Sequence, residues 1–300
     1  MTEHSATFTA VDLSKLPAPA VVETLSYETI YAAMLARLRQ LLPDFNAAVE
    51  SDPAIKVLQV AAYRELLLRQ RINEAARAVM PAYAIGPDLD NLAALLGITR
   101  LQLDPGNPDR GIPPALESDI DLRRRMVLAP EGYSVAGPEG AYIFHALSAD
   151  GDVLDASATS PTPGTVAVTV LSRTGDGTAS AALLERVAAK VSDEAVRPLT
   201  DQVNVQSATI IPYTVKAEIT TFSGPDGGVV MAESRRRLDE YITASHRLGR
   251  DITLSGLYAA LHAEGVQKVR LLAPTTDIIV SRMEASWCTA VSVSHTGVGE

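Results

Sequence analysis

Five histidines, one cysteine and a few closely spaced acids are the residues of this 300-residue sequence whose chemistry could reach beyond packing. His4, His145, His246, His262 and His295 could ligate a metal or move protons. None stands three or four residues from another histidine or from a cysteine, so no metal template forms. Cys288, in SWCTA, has no neighbouring motif that would activate its thiol and reads as a small buried hydrophobe. Asp150/Asp152 and Asp88/Asp90 could serve acid–base work only if two carboxylates faced each other across a cleft. Gly224–Gly228 precedes a helix, but the Lys-Ser/Thr ending of a phosphate loop and the dinucleotide glycine spacing are both missing. Gly175-Asp176-Gly177 is likewise a turn. The expectation is no catalytic residue, no metal and no cofactor.

The elements that carry these residues make a larger pattern. A long helix is expected from Pro53 to Met80. Asp52 serves as its N-cap and Pro53 sits at the first helical position, where a missing N–H costs nothing. Ile55, Leu58, Ala62, Leu66, Ile72, Ala76 and Val79 step at helical spacing, while Val57, Val60, Ala61, Leu67, Leu68 and Ala75 fill much of the opposite side. A surface helix of one small domain shows a single apolar stripe. This one has two, so it either centres a bundle or leaves a face for another chain. A second helix follows Gly86-Pro87, with Asp88 expected as its cap and Gly97 as the left-handed residue that ends it.

Upstream, Ser26–Leu42 reads as a helix in which Tyr27, Tyr31, Met34, Leu38 and Leu41 are spaced four, three, four, three. That seam of two heptads docks either on the 53–80 helix or on a partner helix. Residues 1–20 are polar with two prolines and read as an extended arm. Residues 101–116, rich in Pro and Gly, read as a linker and a candidate hinge or stiff spacer. Ser118 caps the next helix, with Asp121 placed for a capping box.

Beyond it the pattern turns to alternation: strands over 152–158, 165–171 and 202–206 with a helix over 180–192. Strands over 213–221, 266–272, 278–281 and 290–294 follow, with helices over 229–245 and up to 263. The fold class is therefore α+β: an N-terminal helical bundle region (21–100) followed by two small α+β domains, 117–210 and 211–300.

The net charge of −10 argues against non-specific binding to nucleic acid or anionic membranes. The arginine runs 123–125 and 235–237 read as solvated helix faces. A single cysteine excludes an internal disulfide and fits a reducing compartment. No apolar run reaches the roughly 20 residues of a membrane span, and no basic start with an apolar core marks a signal peptide. Folding in the cytosol is expected.

Several blocks, in order over most of the chain, resemble the baseplate J-like family of contractile-tailed phages and pyocin-like injection machines. They are Asp52-Pro53 with LQVAAYRELLLRQRINEAARA, GPDLDNLAALLGITR at 86–100, residues 117–172, VRPLTDQVNVQSA, HRLGRDITLSGLYAALHAEGVQKV and CTAVSV. The resemblance implies a structural wedge protein without catalysis. It would pair with a second copy of itself and one I-like baseplate wedge protein through a shared helical bundle. Such wedges, typically six, close a ring around the central hub, beneath the sheath-proximal proteins. The resemblance also implies synthesis in the bacterial host cytoplasm and a place in the tail baseplate. On this reading Tyr27, Tyr31, Met34, Leu38, Leu41, Val60, Leu66, Leu67 and Leu68 are candidate partner-interface residues, and Asp52, Pro53, Asp88 and Gly97 hold turns and caps. The competing reading is a tail-associated glycan-hydrolysing enzyme.

Overall fold

The computed structural model describes residues 13, 16, 17, 19–45, 51–224 and 226–299. The arm expected over 1–20 lies mostly outside them, as do His4 and Pro225 of the Gly224–Gly228 turn. The described chain forms two compact units, one ending at Thr99 and one beginning at Arg100.

The first unit is helical. Helix α1 (Tyr27–Leu41) starts where Ser26 accepts a hydrogen bond from the Thr29 N–H. Helix α2 (Pro53–Ala78) is 26 residues long, with Asp52 accepting from Ala54 N and Pro53 in its first turn. Local sequence suffices for both starts because caps act within one turn. α1 packs along α2, and the buried residues of the pair are Ile30 on one helix and Ile55, Ala62 and Asn73 on the other.

Helix α3 (Gly86–Ala94) begins earlier than expected, and Asp88 is not its cap. Pro87 is already preset for a first-turn φ, so the helix starts upstream of Asp88, with Ile85 at the cap position and no side-chain cap bond. Asp88 falls inside the first turn, where its charge meets the positive end of the helix dipole. The other end is as expected. Gly97 has φ +70°, its N–H reaches Ala94 O at 3.0 Å, and Ile98 N reaches Ala93 O at 3.1 Å, the paired bonds of a Schellman ending. A Cβ added at Gly97 would meet nothing within 4 Å. Gly97→Val therefore isolates the backbone cost of a left-handed L-residue, about 1–2 kcal/mol. A melting temperature unchanged in that variant would remove this role from Gly97.

Residues 101–116 do not run as a plain linker. Strands β1 (Gln102–Asp104) and β2 (Ala115–Leu116) pair antiparallel. Asp104 Oδ1 accepts from Gly106 N at 2.6 Å, and Asn107 caps a short 3₁₀ turn, so the prolines and glycines shape a hairpin. Helix α4 (Asp119–Leu128) then starts at Ser118, which accepts from Asp121 N as a cap should.

Two α+β layers follow. In the first, α5 (Glu139–Leu147), β3 (Val153–Thr162), β4 (Thr165–Ser172), α6 (Ala181–Val191) and β5 (Gln202–Ser207) make a sheet of order β3-β4-β5. β4 is antiparallel to β3 and parallel to β5. Tyr142, Leu147, Val168, Val170, Leu183 and Val187 fill the space under it. In the second, β6 (Thr209–Phe222), α7 (Gly227–Ser245), α8 (Leu254–Leu261), β7 (Val266–Ala273) and β8 (Glu284–Gly299) make a sheet of order β7-β6-β8. Its centre strand is again antiparallel to one neighbour and parallel to the other. Val215, Ile219, Leu238, Ile252, Leu257 and Leu261 form its core.

The strand expected over 278–281 does not form. Ile278 makes a single bridge to Ile252, and the Val280 N–H is taken by Asp251 Oδ1 at 2.7 Å, so a side chain replaces a strand neighbour. The strand expected over 290–294 is the middle of the longer β8.

Candidate functional site

The residues that could do chemistry are brought into structural work. Asp150 receives Arg186 Nε at 2.6 Å on one oxygen and Asp152 N at 2.8 Å on the other. Asp152 accepts from Ser172 Oγ at 3.0 Å. This pair closes a turn and does not face a cleft. Asp88 and Asp90 lie exposed on α3. His145 bonds Gly132 O at 3.1 Å, and burial pulls its pKa below the usual imidazole value. His246 bonds Ser286 O at 2.7 Å and meets the edge of Trp287. His295 bonds Thr221, a buried threonine of β6, at 3.1 Å. Burial raises the Cys288 thiol, which disfavours thiolate. Among the described residues no three His, Cys, Asp or Glu side chains group to hold a metal, and no helix is long and apolar enough to cross a membrane.

Two concave features stand out among the described residues, one small and one shallow. A cavity of about 10 Å³ among Glu117, Asp121, Arg124, Arg125 and Arg173 has room for about one water. An open depression of about 400 Å³ lies over Ser192, Arg197, Leu199, Thr200 and Asp201. There Tyr142 donates to Asp201 at 2.8 Å; burial and that carboxylate push the phenol well above its ordinary pKa, so it stays a donor.

The arginine run 123–125 is not a solvated face. Arg125 is buried and makes two bonds to Glu117, at 2.8 and 2.6 Å. Glu117 also accepts from Leu101 N, which ties the hairpin to α4. Arg124 reaches Asp155 Oδ1 on β3 at 2.6 Å. Asp121 does not complete the capping box. Its carboxylate takes Arg173 at 3.0 Å and Arg247 at 3.5 Å, because two guanidinium groups outbid one backbone N–H.

These charges form the joint between the two α+β layers. The chain passes from β5 to β6 through one residue, Ala208, whose N–H bonds Val170 O while Thr209 N bonds Met283 O. Leu171, Ala208, Leu248 and Ala285 plug the crossing. Asp155, 1% exposed, sits at its centre. One oxygen binds Arg124 and the Ala156 N–H; the other takes the Leu248 N–H of the second layer at 3.0 Å. Arg247 donates to Leu154 O at 2.6 Å, and Ser157 Oγ to Arg282 O at 2.5 Å. Glu139 and Arg282 add an ion pair across the same seam. Burial lowers the Arg247 pKa, and Arg124 and Arg173 work the same way against Asp155 and Asp121. For Arg124 burial works downward too, but the charge and hydrogen bond of Asp155 together with the charge of Asp121 leave the pKa raised.

The candidate interface lies on the helical unit. Tyr27, Tyr31, Met34 and Leu38 of the α1 seam are half-buried, and the two tyrosine rings stack with centroids 6.1 Å apart. Leu41 at the end of the seam is exposed. On α2, Leu66 is half-buried on the side of Ile55 and Ala62. Val60, Leu67 and Leu68 are on the other side, 64%, 39% and 63% exposed, in one stripe with Val57. Ile72, grouped by spacing with the Ile55 face, lies one turn beyond Leu68 on this open stripe instead, and the exposed Val79 follows the helix end. The two apolar faces thus have different fates within the chain: one is covered by α1, the other is open.

Sequence reasoning missed the clamp that fixes the chain before α1. Asn73, buried in α2, accepts from Glu23 N at 3.0 Å and donates to Glu23 O at 2.9 Å, and Arg69 binds the Glu23 carboxylate at 2.9 Å. An asparagine on the buried stripe of a helix, where its propensity is poor, was the available signal.

The two domain types of one family are laid along this fold. Residues 50–107, from α2 to β1, match the baseplate J-like N-terminal domain, and residues 134–207, which end with β5, match the baseplate J-like central domain. The chain belongs to the baseplate J-like family. It is 49% identical over 300 residues to Baseplate protein J of Escherichia phage P2, covering 97% of this chain and 99% of that one. Among solved structures, a chain of the six-fold symmetrised anti-feeding prophage baseplate is similar with a TM-score of 0.41 and 17% identity. The match covers 60% of this chain and 44% of that one.

Proposed function

We propose that this chain is a structural wedge component of a contractile tail baseplate, in which it pairs with a second copy and with one I-like wedge protein through a shared bundle of N-terminal helices. Six wedges then close a ring around the hub, next to the sheath-proximal proteins. The chain is made in the cytoplasm of the bacterial host and ends in the baseplate of the tail. Family membership supports the baseplate; the observation that carries the shared bundle is α2. Its 26 residues hold apolar side chains on two sides, and α1 covers one of them. A row of exposed Val, Leu and Ile this long is an interaction surface in a soluble protein. The joint around Asp155 suits the same role, because a wedge that transmits force needs its layers fixed to one another.

The test is the mass of the complex by light scattering after size exclusion, with the chain alone and co-expressed with its I-like neighbour. Two copies with one partner are the expected result. A monomer indifferent to that neighbour would overturn the wedge reading.

A further inference from the structure

The sheet of the first α+β layer has one covered edge and one open edge. β3 meets the second layer through Leu154 O and Ser157 Oγ. β5 lies at the other edge. Gln202 N reaches Gly164 O at 2.8 Å, and Ala208 N reaches Val170 O at 2.9 Å, so the even-numbered residues of β5 face β4. Backbone groups alternate along a strand. Val203 and Val205 therefore turn their N–H and C=O groups away from β4, and among the described residues those groups have no partner. No charge, proline or bulge guards this edge.

The open depression lies where β5 begins, since Asp201, Gln202 and Val203 line it. Its floor is fixed. Tyr142 holds the Asp201 carboxylate, and Arg197 donates from Nε to Ser192 O and from Nη1 to Asp201 O, both at 3.0 Å. Those bonds orient the guanidinium and leave its Nη2 group uncommitted, and among the described residues Arg197 makes no ion pair. Leu199, 93% exposed, stands in the same depression. One exposed leucine needs no explanation by itself. Here it adjoins an oriented cation without a counter-charge and a strand edge with free donors and acceptors. One kind of partner uses all three. An extended segment pairs with the edge, lays an apolar side chain on Leu199 and sets an Asp or Glu against Arg197. Two β5 strands pairing with each other would not do this, because Gln202–Ser207 contains no acid.

We propose that β5 and the depression at its start accept an extended segment of a different protein of the baseplate, one that carries an acid beside an apolar residue. The contact lies in the central domain and does not depend on the open face of α2.

Photo-crosslinking in the assembled baseplate tests it, with p-benzoylphenylalanine in place of Thr200, an exposed residue of the same depression. The expected product joins this chain to a different protein, at a peptide with an Asp or Glu within about three residues of the link, roughly 10 Å of extended chain. A product with a second copy of this chain, a product without an acid there, or no interchain product overturns the proposal. Leu199→Asp in the same chain supplies a second readout. Leu199 is exposed, so its replacement leaves the fold intact, while a carboxylate in the depression repels the acid of the segment. The yield of product is expected to fall about tenfold or more, and Leu199→Met to keep it. An unchanged yield in the aspartate variant overturns the role of the depression. The mass of the complex with the I-like neighbour tests the wedge reading separately, so a failure here leaves that reading standing.

Discussion

Asp155→Ala is expected to destabilise the second unit by about 2–4 kcal/mol, somewhat less than the cost of breaking a fully buried ion pair, because Arg124 is one-third exposed. The carboxylate is 1% exposed and does three things at once. It neutralises Arg124, it receives the Leu248 N–H of the second layer, and it binds the Ala156 N–H. Alanine leaves a cation and a buried backbone donor without acceptors, and a donor left so costs a further ~1–3 kcal/mol where water cannot enter. Arg124 keeps a third of its side chain in water, so the larger part of the cost falls on the buried Leu248 N–H, beside a cavity of about 10 Å³ that admits about one water. Urea denaturation gives the magnitude, and amide exchange at Leu248 gives the location. Faster exchange there, with the Val168–Val170 stretch of β4 still protected, marks the joint as the first part to open. A change below about 1 kcal/mol would mean that Arg124 and Leu248 find other partners and that the apolar plug holds the layers by itself.

Leu68→Asp is expected to do the reverse: little to the chain alone and a great deal to its assembly. Leu68 is 63% exposed in the chain, so aspartate there costs chiefly helix propensity, about 0.5 kcal/mol. In a bundle that covers the outer face of α2, the same carboxylate is desolvated beside Ile72 and the partner's apolar side chains, with Arg64 and Arg71 one turn away as partial counter-charges. A penalty of about 2–3 kcal/mol weakens capture of the partner roughly thirty- to a hundredfold. Circular dichroism of the chain and co-purification with the I-like neighbour read the two effects separately. Leu67→Asp should behave similarly. Leu66→Asp is a different experiment, because Leu66 is half-buried on the α1 side and its loss mixes folding with assembly. Normal assembly of the Leu68 variant would mean that this face stays in water.

The layered organisation echoes the balance of forces in each unit. The second unit fastens its layers with charges desolvated between two apolar cores, which sets their geometry through directional bonds. The helical unit leaves one apolar stripe of α2 exposed, the surface on which the proposed shared bundle rests.

Much of this was legible in the sequence because it is decided within one or two turns of chain. The starts of α1, α2, α4 and α6 follow from Ser26, Asp52, Ser118 and Ser180, whose side chains each accept a nearby backbone N–H. The end of α3 follows from Gly97, since a left-handed residue there is what the last carbonyls need. The two apolar faces of α2 and the alternation of β4 and β6 follow from spacing alone, as does the mixed α+β class. Tertiary structure decided the rest. Nothing local separates Arg123–Arg125 from Arg235–Arg237. The first run is drawn inward because Glu117 and Asp155 wait there; the second stays at the surface on α7, pairing with Asp239, Glu233 and Glu240. Asp155 meets Arg124 across 31 residues and Leu248 across 93, and Asn73 meets Glu23 across 50. Pairings at such separations depend on how the layers close, and a buried charge finds its partner only after the fold has removed the water.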